Sequence, residues 1–410
     1  MKTQLADIAL FGGPSLFAQQ LHVGRPNIGD RERLLTRINT LLDRRWLTNS
    51  GPFVQELEQR IAQMLGVRHC IAMSNGTVAL EIAIRASGLA GEVLVPGFTF
   101  IATAHALQWQ GITPIFCDVN PQTHLIDPVE VERRISPRTT GIIGVHLWGQ
   151  ACEVEALAEI AHRHQLKLLY DAAHAFGCSY QGQMIGNFGD AEVFSFHATK
   201  VFNTFEGGAV VTNDDELADR IRLMRNFGFA DYDMVEYIGT NGKMSEVSAA
   251  MGLTSLESLD EFITVNYQNY RQYQRELANV PGLTVLNYRE FDRLNYQYVV
   301  LAVETNEAHL SRDDLIAILW AEQILARRYF FPGCHRMEPY RSLVPPKQRL
   351  LPHTEDLAQR VFCLPTGTTV TPATISTICQ LIRFVVEHGS AIRARLLDTN
   401  PAISKSVGAS

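Results

Sequence analysis

The run Leu166-Lys167-Leu168-Leu169-Tyr170-Asp171-Ala172-Ala173-His174-Ala175-Phe176-Gly177 passes from an apolar stretch straight into an acid and a small-residue turn. Residues 167–170 fit a buried strand, and residues 153–164 before them place apolar side chains at helical spacing. In open α/β sheets ligands gather beyond the carboxyl ends of the strands, which is where Asp171 falls. A buried Asp at such an edge can hold a protonated heteroaromatic nitrogen through a charge-assisted hydrogen bond. Asp171 also reads as a simple helix cap, and His174 as a satisfied polar side chain of the core.

Working outward, the same alternation recurs on both sides. Strands are expected at 69–73, 92–95, 113–117, 140–146, 192–196 and 209–212, with helices at 78–87, 101–110, 129–135 and 153–164. Strands separated by helix-length crossovers predict an α/β fold with a mostly parallel sheet covered on both faces. Leu34, Leu35, Ile38, Leu41 and Leu42 predict a helical segment ahead of it. After Gly242 the pattern changes. Residues 245–280 read as one long helix leading to a smaller α+β unit with strands at 283–286 and 296–302. The expected division is a large domain over 1–244, a small domain over 245–390, and a flexible tail over 391–410.

Two further stretches carry chemistry. Ser74-Asn75-Gly76-Thr77 follows one expected strand and opens a helix, whose free N–H groups and positive dipole end suit a phosphate. Gly76 permits close backbone approach and Thr77 offers a hydroxyl, although Ser-Asn-Gly is also an ordinary turn. Ser195-Phe196-His197-Ala198-Thr199-Lys200 follows another strand. A lysine desolvated there has a lowered pKa and can attack a carbonyl carbon to form a Schiff base. Phosphate cradle, acid at a strand end and lysine occur in the order needed to hold pyridoxal phosphate.

With 36 basic and 43 acidic side chains the net charge is −7, which argues against a surface that coats nucleic acid. The uncharged stretch 93–117 is interrupted by Pro96, Gly97, Gly111 and Pro114, a poor membrane span. Met1 to Leu10 contains Lys2 and Asp7 and no sustained apolar run, so the expected location is cytoplasmic. Seven widely spaced cysteines suit reduced thiols. His162 and His164 lie on different faces of a helix, and no metal site is expected.

The combined motifs resemble the DegT/DnrJ/StrS sugar aminotransferases, which are fold-type I pyridoxal-phosphate enzymes. The resemblance spans about 25–385 and is carried by Trp46-Leu47-Thr48-Asn49-Ser50-Gly51-Pro52, Ser74-Asn75-Gly76-Thr77, Pro96-Gly97-Phe98-Thr99-Phe100, Asp171-Ala172-Ala173-His174-Ala175, Ser195 to Lys200, and Asn241-Gly242-Lys243-Met244-Ser245-Glu246. It implies a cofactor Schiff base on Lys200, and Asp171 on the pyridine nitrogen. Phe98 or a neighbour would stack on the ring, with His174 near the phenolic oxygen. Gly76, Thr77 and Ser195 would hold the phosphate. Asn241 would reach it from the neighbouring subunit of a homodimer.

The motif details look most like the branch that makes 4-amino-4,6-dideoxyglucose on a thymidine diphosphate carrier. The resemblance therefore implies amination of a nucleotide-linked 4-keto-6-deoxyhexose, with glutamate as amino donor. The alternatives are a 3-keto sugar or cyclitol aminotransferase of the same family, or a non-catalytic regulatory relative. A dehydratase relative would replace the lysine, usually by histidine.

Overall fold

The computed structural model describes residues 2–289, 291–345 and 349–399. Its centre is a seven-stranded sheet. In chain order the strands are β2 His69–Met73, β3 Glu92–Pro96, β4 Thr113–Cys117, β5 Thr139–Val145, β6 Lys167–Asp171, β7 Ala191–Ser195 and β8 Gly208–Thr212, preceded by a two-residue strand β1, Leu21–His22. The spatial order is β2-β8-β7-β6-β5-β3-β4. Only β8 runs against its neighbours, pairing antiparallel with both β2 and β7. The fold is thus the mostly parallel α/β sheet that the alternating pattern predicted.

Burial on both faces explains the strand sequences. Val93 and Val95 belong to one buried cluster and Leu94 to the other, and Ile142 and Ile143 divide in the same way. Adjacent residues of a strand point to opposite faces, so continuous Val/Ile/Leu runs are what a sheet covered on both sides requires. The covering helices include α1 Arg31–Arg44, α2 Pro52–Leu65, α3 Gly76–Ala86, α4 Ala102–Gln108, α5 Pro128–Arg133, α6 Val154–His164 and α7 Asp215–Arg225. The start of α2 has Pro52 at its first position, and Glu246 accepts from Phe53 N at 2.9 Å and Val54 N at 3.0 Å. That buried carboxylate fills the role a side-chain cap plays at other helix starts.

The long helix expected at 245–280 is two helices, α8 Glu246–Glu257 and α9 Leu259–Leu277. Ser258, with φ −106° and ψ 4°, closes the first and opens the second. Gly29 packs so tightly here that a Cβ on it would fall 2.5 Å from Ser258 Oγ. The part expected as a small domain, called so below for its place in the chain, has an antiparallel sheet of Leu283–Val285 (β9), Val299–Val303 (β10) and Val361–Leu364 (β12). Between β10 and β12 in sequence, Ile324–Leu325 (β11) pairs parallel with β1. The strand expected from residue 296 begins only at Val299, because Tyr296 takes a positive φ of 48° and turns the chain. The tail expected from 391 is also corrected over its first part. Gly389–Thr399 is helical, and Ile392 and Leu396 are buried. Residues 400–410 lie outside the described residues.

Three ties hold the parts together. Glu322 is completely buried and accepts from Ala9 N, Leu16 N and Lys2 Nζ, which straps residues 2–28 across the small domain. Asn27 then crosses to the large domain, donating to Val201 O and accepting from Thr368 Oγ1. Asp118, just past β4, accepts from His353 N, Thr354 N and Thr354 Oγ1 and so caps the helix Pro352–Arg360. Among the described residues no helix is long and apolar enough to cross a membrane.

Candidate active site

The carboxyl ends of β6 and β7, the start of α3 and the near edge of the small domain enclose a cavity of about 820 Å³. Asp171 is the last residue of β6 and faces into it. One carboxylate oxygen accepts from Thr103 Oγ1 at 2.8 Å and the other from Ala173 N at 3.1 Å. Burial pushes the Asp171 carboxyl above its usual range, against the pull of these two donors and of the Lys200 charge. Such a site favours a partner that brings its own positive hydrogen-bond donor.

Lys200 lies beyond β7 in the same cavity. Burial pushes its amine down to about 8, opposed by the negative charge of Asp171. About a tenth of the amine is therefore unprotonated at pH 7, far more than for an ordinary lysine, and the free amine is the form that attacks a carbonyl carbon. Nζ donates to Tyr298 Oη at 3.3 Å.

The α3 start forms the third corner. Asn75 caps the helix by accepting from Val78 N at 2.8 Å, and Gly76, Thr77 and Ser195 line the cavity beside it. A Cβ on Gly76 would stand 2.8 Å from Ser195 Cβ, so only glycine lets the helix start meet the end of β7 this closely. Gly208 has the same constraint, since a Cβ there would meet the Asn75 carbonyl carbon and Gly76 N at 2.7 Å. An anion at this corner meets free helix N–H groups and two hydroxyls.

His174 also lines the cavity, stacked against Trp148 and Phe330 and 4.5 Å from the Tyr298 ring. Burial pushes its imidazole well below the ordinary value, so it is neutral. Nδ1 accepts from Trp148 N at 3.4 Å, which leaves the ring hydrogen on Nε2 as a donor.

Phe98 does not present its ring to the cavity. It is fully buried, edge-on to His124, Trp148 and Phe330. Two residues on, Phe100 is 56% exposed and lines the cavity. Past Pro96 the chain leaves the sheet, and its two phenylalanines face opposite ways. Asn241 lies outside this cavity, in a bridge to Asn226 at the foot of an exposed hairpin. The structure thus brings together Gly76, Thr77, Asp171, His174, Ser195 and Lys200. The sequence reading missed Thr103, Gln297 and Tyr298, and it had no local signal for them. Thr103 lies one helical turn beyond Thr99, and residues 297–298 come from the other domain.

Residues 29–383 match the DegT/DnrJ/EryC1/StrS aminotransferase family. The chain belongs to this family. Among individual members it is 37% identical over 363 residues to a dTDP-4-amino-4,6-dideoxy-D-glucose transaminase of Shigella dysenteriae, covering 88% of this chain and 98% of that one. An Escherichia coli protein of the same name is 34% identical, with 88% and 97% covered. The solved structure of DesI in the presence of its TDP-sugar product superposes with a TM-score of 0.91 at 47% identity, covering 96% of this chain and 99% of DesI. The whole strap, residues 2–28, precedes the matched family region, yet its His22, Val23 and Gly24 line the cavity.

Two outcomes follow from the geometry. In protein freed of cofactor, the rate of reductive methylation of Lys200 should rise with pH through a midpoint near 8, well below that of exposed lysines. Asp171→Asn removes the charge that favours the ammonium, so the midpoint should move lower still; peptide mass spectrometry reads both. Phe100→Ala should weaken cofactor retention by about tenfold, the scale of one lost ring stack. Phe98→Leu should instead lower the melting temperature and leave retention near that of the parent, as dialysis followed by absorbance would show.

Proposed function

We propose that the chain is a pyridoxal-phosphate-dependent transaminase that carries an amino group, drawn from glutamate, to a nucleotide-linked 4-keto-6-deoxyhexose. The substrate this reading favours is dTDP-4-keto-6-deoxyglucose and the product a 4-amino-4,6-dideoxy sugar. The observation that carries the reading is the presence of Lys200 and Asp171 in one cavity, beside a helix start that only glycine could close. The names of the similar transaminases and of DesI support the choice of sugar.

The residues present fit the cofactor. Gly76, Thr77 and Ser195 would take its phosphate at the α3 start, Asp171 its ring nitrogen and Lys200 its aldehyde carbon. Phe100 would cover a ring face, and the Nε2 hydrogen of His174 would meet the phenolic oxygen. When bound, pyridoxal phosphate supplies an aldehyde that captures amines and a ring that withdraws electrons from the attached carbon.

The chain's own residues do the rest. Asp171 stays ionised against a ring N–H⁺, a partner that offsets its desolvation, and so keeps that nitrogen protonated. Lys200 Nζ, displaced by the donor's amine, would take the proton from the donor's α-carbon as a general base and deliver it as a general acid to the carbon that was the cofactor's aldehyde. Its depressed basicity suits both tasks near neutral pH. Thr103 fixes the Asp171 carboxylate so that it does not swing toward the amine. In the second half of the cycle the same groups act in reverse on the keto sugar.

The working unit in this proposal is a homodimer in which Asn241 of the neighbouring subunit reaches the phosphate. The apolar side chains Phe227, Phe229, Tyr232 and Ile238, exposed on the hairpin next to Asn241, support it. A patch of this kind on a single chain marks a contact surface.

The purified protein, given glutamate and dTDP-4-keto-6-deoxyglucose, should yield 2-oxoglutarate and a sugar nucleotide with its nitrogen at C4. Mass spectrometry and NMR would identify it, and amination at C3 would instead favour the 3-keto reading. Lys200→Ala should abolish turnover, and borohydride should fix a phosphopyridoxyl group on the Lys200 peptide of the parent. Near-normal turnover by Lys200→Ala would reject the assignment. Mixing Lys200→Ala with Asn241→Ala chains should restore activity, since one intact site forms in each mixed dimer; no recovery would count against shared sites.

A further inference from the structure

Two consecutive residues of the small domain hold the lysine loop. Gln297 Oε1 accepts from Val201 N at 3.0 Å, and its Nε2 donates to Thr199 O at 3.4 Å. One side-chain amide thus grips the backbone on both flanks of Lys200. The next residue, Tyr298, accepts from Lys200 Nζ at 3.3 Å. Among the described residues no other side chain hydrogen-bonds to this amine.

The phenol is itself well anchored. Its ring lies 4.5 Å from His174, 5.3 Å from Trp148 and 6.2 Å from Tyr329, and its carbonyl accepts from Tyr288 Oη at 2.7 Å. The positive φ of Tyr296 and the late start of β10 turn Gln297 and Tyr298 toward the lysine instead of into the sheet. A hydroxyl both accepts from an ammonium and donates to an amine, so it can hold Lys200 in either protonation state. Burial raises the Tyr298 phenol well above its ordinary value, which keeps its proton in place through that exchange.

We propose that Gln297 and Tyr298 form a positioning device, in which the Tyr298 hydroxyl receives the Lys200 amine each time the cofactor releases it and aims it for proton transfer. The proposal rests on the reading of the site given above. Its physical need is plain. A freed lysine has a long flexible stem, and the nearest opposite charge in the cavity is Asp171, which is required at the ring nitrogen. Lys200 and Asp171 are satisfied by different partners, Tyr298 for the amine and Thr103 with Ala173 N for the carboxylate. Tyr298 therefore keeps the base near the reacting carbons and away from the acid. Because it belongs to the small domain, it couples the placement of that domain to the placement of the lysine.

Tyr298→Phe keeps the ring and removes only the hydroxyl. The test uses enzyme converted by glutamate to its pyridoxamine phosphate form, in which Lys200 is free. The pH midpoint for methylation of Lys200 should fall, because the ammonium loses its acceptor. In single turnovers the glutamate half-reaction should slow by about tenfold, a typical scale for misplacing a proton carrier. The isotope effect with α-deuterated glutamate should rise, while KM for glutamate stays within about threefold of the parent. Gln297→Met, which leaves the aromatic cluster intact, should shift rate and isotope effect in the same direction and serves if Tyr298→Phe melts too low to purify. A folded Tyr298→Phe protein with unchanged midpoint and isotope effect overturns the positioning role; if that variant cannot be purified, an unchanged Gln297→Met does so. A parent enzyme with no cofactor adduct on Lys200 overturns the proposed function itself, which separates the two failures.

Discussion

A carboxylate and an amine share one cavity, and each is hydrogen-bonded to a different part of the molecule. Each pays for burial in the shift of its proton affinity: Asp171 is pushed up and Lys200 pushed down to about 8. Asp171 stands at the end of β6 and Lys200 beyond β7, and side chains from α4 and from the residue before β10 hydrogen-bond them separately. A site with opposite charges held apart is ready for a ligand that brings a cation for one and an electrophile for the other.

The parts of this arrangement that follow from chain order were legible in the sequence. Asp171, Gly76, Ser195 and Lys200 each sit within a few residues of a strand end, and a mostly parallel sheet collects such ends on one edge. What depended on direction or on distant segments was not legible. Phe98 and Phe100 have the same chemistry and lie in the same loop, but only packing against His124 and Trp148 decides that the first is buried. The break at Ser258 carries no glycine or proline, and the segment packed against it, at Gly29, lies more than two hundred residues earlier in the chain. Tyr298 looked like a strand residue for the same reason. Its apolar neighbours fit a strand, and the turn at Tyr296 that exposes it has no signature in composition.

The lysine loop is the place where the two domains and the strap meet. Gln297 holds it from the small domain, Asn27 holds Val201 from the strap, and Asn203 donates back to Asn27 O. A single short segment thus contacts three parts of the chain that are far apart in sequence. Such convergence fixes the backbone from which the lysine side chain, one of the most flexible kinds, extends.

The strap has a practical side as well. Gly24 lies so near Thr199 that a Cβ on it would come within 3.2 Å of the Thr199 carbonyl, and the Lys2 ammonium is sealed against Glu322. Residues 22–24 are therefore part of the wall of the catalytic chamber, held in place by the ties of the segment before them. Cutting the chain back past Gly24 would remove both the Glu322 tie and that stretch of wall.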